Sequence, residues 1–146
     1  GIEISNHNKK NWQHKISHVP QETFLFDDTI LQNIAFETKE NINEKKIIEA
    51  SKCAEIHDFI ETLPEKYQTI VGENGVLLSG GQKQRLGIAR ALYKDKEILT
   101  LDESTNALDR NTEEKILKNI KKMKITLIQI THRNTNDYDY DIIVKI

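Results

Sequence analysis

Two short apolar runs, "EILTLDES" (Glu97–Ser104) and "KITLIQITHR" (Lys124–Arg133), each end in charged or polar groups, and a charged amphipathic stretch, "RNTEEKILKNIKKM", lies between them. Short apolar runs read as strands, and a helix between two of them reads as a β-α-β unit, the connection that joins parallel neighbours in one sheet. Runs apolar on both faces suit a parallel sheet covered by helices, and such sheets bind ligands beyond the carboxyl ends of their strands. Asp102, Glu103 and His132 stand at those ends.

Upstream, "KISHVP" (Lys15–Pro20) reads as a further strand stopped by proline, and "TILQNIAF" (Thr29–Phe36) as a short helix with Ile30 and Ile34 on one face. Residues 37–46 form a solvated polar connection. "NEKKIIEASKCAEIHDFIETL" carries apolar residues at mixed helical spacing and predicts two packed helices, with Asn43 as N-cap and Pro64 as a stop. The last stretch, "DYDYDIIVKI", reads as a late strand. The expected class is therefore α/β, with a parallel sheet core and a helical part.

The 146 residues fit one domain with a real core. A net charge of −2 gives no general reason to expect a nucleic-acid partner. The lysine run "KNIKKMK" reads as a solvated helix face. Cys53 is the one cysteine, so no internal disulfide or cysteine-based metal cluster forms, and a reducing compartment is the simpler assumption. No window approaches 18 consecutive apolar residues and the N-terminus has no signal-peptide core, so the chain by itself is expected neither to span a membrane nor to enter the secretory path.

"LLSGGQKQRLGIARAL" (Leu77–Leu92) runs a glycine pair straight into a helix. A backbone bare of Cβ atoms at a helix N-terminus approaches an anion closely, with free N–H groups and the positive dipole end facing it. A glycine turn before a core helix is the commoner meaning of Gly-Gly. An Asp at a strand tip can hold Mg²⁺, and the Glu beside it can polarise a nucleophilic water. His132 can donate to a phosphate oxygen, or cap the strand end near Asp109. Taken singly, an acidic turn and a hydrogen-bonded structural histidine are the commoner readings.

Taken together, "VPQETFLF", "VGENGVLLSGGQKQRLGIARAL", "ILTLDESTNALD" and "ITLIQITHR", in this order, resemble the nucleotide-binding domain of ATP-binding cassette (ABC) proteins over nearly the whole chain. The pentad "LSGGQ" matches that family's signature in full, and Asp-Glu follows it by about twenty residues, as the family's pattern has it. The resemblance implies a P-loop NTPase-like fold that binds ATP and Mg²⁺. It implies that Asp102 helps hold Mg²⁺, that Glu103 is the general base or water-orienting carboxylate, and that His132 is the switch histidine reading the γ-phosphate. Gln21 resembles the Q-loop glutamine near Mg²⁺ and the attacking water. Ser79, Gly80, Gly81 and Gln82 resemble the signature that contacts ATP held by a second such domain in a head-to-tail dimer. Asp109 resembles the D-loop residue linking the two sites, although Asn106 stands where the family often has serine.

"QETFLFDDTILQNIAF" is similar to the exporter-type segment in which Phe24, Leu25 and Phe26 face a membrane domain, with core packing an equal alternative. "VGENG" is similar to the exporter cross-talk loop, with Glu73 the contact. These features imply the motor of an exporter of lipid, lipid-linked oligosaccharide or peptide, at the cytoplasmic face of the membrane, with a transmembrane domain fused upstream.

The main departure is the P-loop. None of the six glycines opens G-x-x-x-x-G-K-[ST]: Gly75 and Gly80 have the spacing, but Gly81-Gln82 follows. The expectation is an incomplete domain, with residues 21–96 as Q-loop, helical subdomain and signature helix and residues 97–146 as the second half of the catalytic core. Each charge-assisted bond that such a loop makes to phosphate is worth roughly 1.5–3 kcal/mol, so the chain alone is expected not to turn over ATP while its parent does. Two other readings are a soluble, non-transport ABC ATPase and a non-hydrolysing module that pairs with another cassette. Trp12 and Tyr67 are expected to pack on the surface or in the core rather than to hold adenine.

Overall fold

The computed structural model describes residues 9–133 and 140–144, and within them three strands form one sheet in the order β1 (Ile16–Val19), β2 (Ile98–Asp102) and β3 (Thr126–Ile130). Both pairings are parallel, with Ile16 opposite Ile98 and Ile98 opposite Thr126. The β2-helix-β3 crossover is thus the unit expected from the two apolar runs.

Strand periodicity sorts the side chains onto two unlike faces. Ser17, Val19, Leu99 and Leu101 are buried. His18, Ile128 and Ile130 are exposed on the other face, the last two by 49% and 50%. The expectation of strands apolar and covered on both sides is corrected here. Helices among the described residues pack the first face, and no described element covers the second.

The helices are α1 (Lys9–His14), α2 (Ile30–Ala35), α3 (Glu44–Cys53), α4 (His57–Thr62), α5 (Gly80–Tyr93) and α6 (Arg110–Lys121). The N-termini of α2, α3, α5 and α6 follow side-chain capping, each cap worth about 1 kcal/mol, while α4 starts after Ile56 with no side-chain cap. Thr29 accepts from Gln32 N at 3.1 Å, Asn43 from Lys46 N at 3.1 Å and Asp109 from Thr112 N at 3.0 Å. The break between α3 and α4 falls at Glu55, in the left-handed region at φ 55°. α4 ends at Thr62, before Leu63 and Pro64.

α5 organises the molecule. It packs against α2, α3 and β1, and buries Leu86, Ile88, Ala89 and Leu92 in a core shared with Leu99 and Leu101 of the sheet and Ile116 and Ile120 of α6. Full burial of such a side chain stabilises by roughly 1.5–3 kcal/mol. Ser17 on β1 donates to the carbonyl of Ala91 on α5 at 2.8 Å, which fixes the strand under the helix.

The late strand is a correction. Residues 140–144 form no strand, and Ile142, Ile143 and Val144 are exposed; the remainder of that stretch lies outside the described residues. With these apolar side chains unburied, the strand-like pattern has no packed face to reward it.

Candidate functional site

The carboxyl ends of the three strands bring together residues distant in sequence. β1 leads into Gln21, β2 ends at Asp102 with Glu103 next, and β3 leads to His132. Glu103 adopts a left-handed backbone, φ 47°, while its N–H donates to Ile130 O at 3.0 Å. A non-glycine residue rarely takes that conformation, and such residues cluster at functional sites.

The turn aims the Glu103 carboxylate at three polar side chains. Oε1 lies 2.9 Å from His132 Nε2; Oε2 accepts from Asn106 Nδ2 at 3.0 Å and from Gln21 Nε2 at 3.3 Å. The Glu103 side chain is only 21% exposed, whereas that of His132 is 84% exposed. A carboxylate gripped by side-chain polar groups and facing the end of a sheet is built to accept a proton or orient a water. Asp102 stays outside this cluster: it is half-buried beside it and its carboxylate makes no hydrogen bond among the described residues.

At the start of α5, Ser79 and Gln82 form a reciprocal capping box. Ser79 Oγ accepts from Gln82 N at 3.3 Å, and Gln82 Oε1 accepts from Ser79 N at 2.8 Å. Because the serine oxygen acts as an acceptor, its hydroxyl proton remains available to an anion. Gly80 and Gly81 lie against the turn after β2: a Cβ on Gly81 would stand 3.1 Å from Ala107 O. Gln84 Oε1 accepts from Ala107 N at 2.9 Å and ties the same helix to that turn. A cleft of about 510 Å³ lies between them, lined by Gln21, Thr23, Asn74, Gly80, Lys83 and Gln84.

The remaining expected residues divide by burial. Leu25 is fully buried, so of the three apolar residues after Gln21 only Phe24 and Phe26 face outward, 55% and 43% exposed, with their rings edge to face at 5.0 Å. Glu73 is exposed on a short turn with Asn74 and Gly75. Gly75, at φ +63°, presses on Leu25, since a Cβ there would lie 2.7 Å from Leu25 Cδ1. Asp109 caps α6, and its bonds to Thr112 hold its carboxyl below the usual range. Trp12 is exposed, while Tyr67 is half-buried and shares a 2.8 Å hydrogen bond with His57 Nδ1.

Several organising residues were missed from sequence. Asn33 satisfies the backbone of Phe26 from both sides, accepting from its N–H at 2.9 Å and donating to its carbonyl at 3.0 Å. Arg90 donates to Asn33 O at 2.7 Å and to Phe24 O at 2.9 Å, and burial lowers its guanidinium pKa. Glu113 is fully buried on α6 and paired with Arg133. The available signal was polarity inside stretches otherwise apolar, as in "ILQNIA" and "GIARAL".

Known proteins resemble this chain in sequence and fold. The family model described as ABC transporter matches residues 1–106. The chain is 45% identical over 148 aligned residues to "Multidrug resistance-like ATP-binding protein MdlA" of Buchnera aphidicola subsp. Baizongia pistaciae, covering 99% of this chain and 25% of that protein. It is 48% identical over 136 residues to "ATP-dependent lipid A-core flippase" of Saccharophagus degradans, covering 91% of this chain and 23% of that protein. A solved structure, "Structure of a bacterial Atm1-family ABC exporter with ATP bound", superposes with a TM-score of 0.79 at 43% identity, over 86% of this chain and 22% of the other. The chain thus spans a quarter or less of the length of these relatives. With its motifs in order, its parallel sheet and its matched fold, the chain belongs to the ABC transporter family.

Proposed function

We propose that this chain is the signature-bearing part of the ATP-hydrolysing motor of an exporter, working in a head-to-tail pair of cassettes beneath a transmembrane domain. The carrying observation is the Glu103 carboxylate, held at the end of β2 by Gln21, Asn106 and His132. In this reading Glu103 takes a proton from, or orients, the water that attacks the γ-phosphate. His132 keeps that carboxylate in place and reads the phosphate. Ser79 donates its hydroxyl, and Gly80 and Gly81 their N–H groups, to the nucleotide held by the partner cassette.

The residues fit a magnesium nucleotide. Mg²⁺ bound with substrate phosphates asks for one or two protein carboxylates, not a protein cage. Asp102, with its oxygens unengaged among the described residues, would supply one and Gln21 a further oxygen; the ion would neutralise charge on the transferred phosphoryl group. In this reading Phe24 and Phe26 form the outward face that meets the transmembrane domain and the motor works at the cytoplasmic face of a membrane; the exposure of the two rings supports it. No helix among the described residues is long and apolar enough to cross one. The likeness to exporters, a lipid A-core flippase among them, supports a cargo of lipid, lipid-linked oligosaccharide or peptide.

The test is Glu103→Gln in the parent protein. Turnover is expected to fall by roughly 100-fold or more, with ATP affinity changed by less than about three-fold. Unchanged turnover would sink the reading. The 146-residue chain assayed alone, lacking a P-loop motif, is expected to show no turnover above background.

A further inference from the structure

Glu113 is a carboxylate with no exposure at all, on a helix whose other charges face solvent. A buried charge persists only with partners. Its partners come from different parts of the chain: Thr105 Oγ1 at 2.6 Å, Gln129 Nε2 at 3.1 Å and Arg133 Nη1 at 2.5 Å. Arg133 then spends its other terminal nitrogen on the backbone, donating from Nη2 to Asn106 O and Leu108 O, both at 2.9 Å.

Those two carbonyls bracket Ala107, the residue whose N–H goes to Gln84 of α5. Asn106 also reaches Glu103 Oε2 through its side chain. Two consecutive residues after β3 therefore reach one carboxylate by separate routes. His132 touches Glu103 Oε1 directly, and Arg133 acts through the Asn106–Leu108 turn on Oε2.

We propose that Arg133, oriented by Glu113, is a positioning residue that clamps the turn after β2 and so sets the Glu103 carboxylate and the seat of the signature helix. This rests on the reading of Glu103 as the hydrolytic carboxylate. The planar fork of a guanidinium spans a carboxylate and two carbonyls at once; the point charge of lysine does not. Asn106, where the family often has serine, is the residue this clamp holds against Glu103.

The experiment compares four variants of the parent protein, Arg133→Ala, Arg133→Lys, Glu113→Gln and the apolar pair Arg133→Met with Glu113→Leu, reading kcat, KM for ATP and thermal midpoint. Glu103→Gln serves as the control. Arg133→Ala is expected to lower kcat by about 10-fold to 100-fold with KM within about two-fold, and Arg133→Lys to recover little of it. The apolar pair removes both buried charges, so its thermal midpoint should return toward wild type while kcat stays low. Recovery of kcat together with the midpoint would show that the pair only stabilises the fold, and would overturn the proposal. If Glu103→Gln leaves turnover intact, the catalytic reading itself falls. If Glu103→Gln abolishes turnover while Arg133 variants keep it, the clamp alone is wrong.

Discussion

Gly87 on α5 and Thr23 after β1 meet with no room between them: a Cβ built on Gly87 would lie 2.4 Å from Thr23 Oγ1 and 2.8 Å from its Cγ2. The signature helix therefore rests directly on the segment that carries Gln21. Motion of one is passed to the other by contact.

Gly87→Ala is expected to destabilise the parent's cassette by about 1–3 kcal/mol through overpacking, read by denaturant unfolding. Thr23 Oγ1 is buried with no hydrogen-bond partner among the described residues, so removing it forfeits none there. Gly87→Ala combined with Thr23→Ala should regain at least half of the loss, and a purely additive double variant would contradict this account.

Ser79 serves as helix cap and, as proposed, as a phosphate ligand; two substitutions separate these roles. Ser79→Ala should cost about 1 kcal/mol of stability and weaken ATP-driven pairing. Ser79→Asp keeps the cap and favours the helix dipole, so stability should stay within about 0.5 kcal/mol, while its charge repels phosphate and abolishes pairing. Pairing is measured by size-exclusion chromatography with ATP in a Glu103→Gln background.

Asn33→Ala strips the partner from the Phe26 N–H, one of two donors from the Phe26 carbonyl, which keeps Asp28 N at 2.8 Å, and one acceptor from Arg90. A loss of at least about 2 kcal/mol is expected, with faster amide exchange at Phe26. In the parent, transport should fall further than ATP turnover, because the outward Phe24–Phe26 face loses its shape while Glu103 is untouched. Equal losses in both would argue against a coupling role for these rings.

Burial, and then the negative charge of Glu55, push the Cys53 thiol up from an ordinary value near 9 to about 11, with Lys122 opposing. The folded state therefore holds its proton more tightly than the unfolded one. The stabilising difference is fully present below pH 9 and is lost as pH rises from about 9 to about 11. Cys53→Ser should flatten the stability profile in that window. At pH 8, labelling of the folded thiol by a maleimide should be far slower than labelling of the unfolded chain.

The sequence announces its elements through patterns that local physics enforces. The ends of β1, β2 and β3, the Asn43 cap and the stop before Pro64 all rest on near neighbours, and each is found where the pattern puts it. The convergence of Glu103 and His132 also followed, because a parallel sheet gathers the carboxyl ends of its strands, whereas Gln21 was expected there only from the family resemblance. What escaped depends on contacts across long separations. Glu113 looks like another surface charge on an amphipathic helix until Arg133, 20 residues on, closes over it. Phe24, Leu25 and Phe26 are alike in hydropathy, and only the turn that presses Gly75 on Leu25 decides which of them goes inside. Nor does period-2 alternation reveal which face of β3 the helices cover.

That bare face of the sheet has a practical consequence for anyone producing the chain alone. Ile128 and Ile130 present an apolar strip, and no described strand pairs the outer edge of β3. An open edge with apolar side chains is a template on which another copy can add a strand. Expressed without its parent, the chain should accumulate as concentration-dependent aggregates, and a lysine at position 128 should raise its soluble yield.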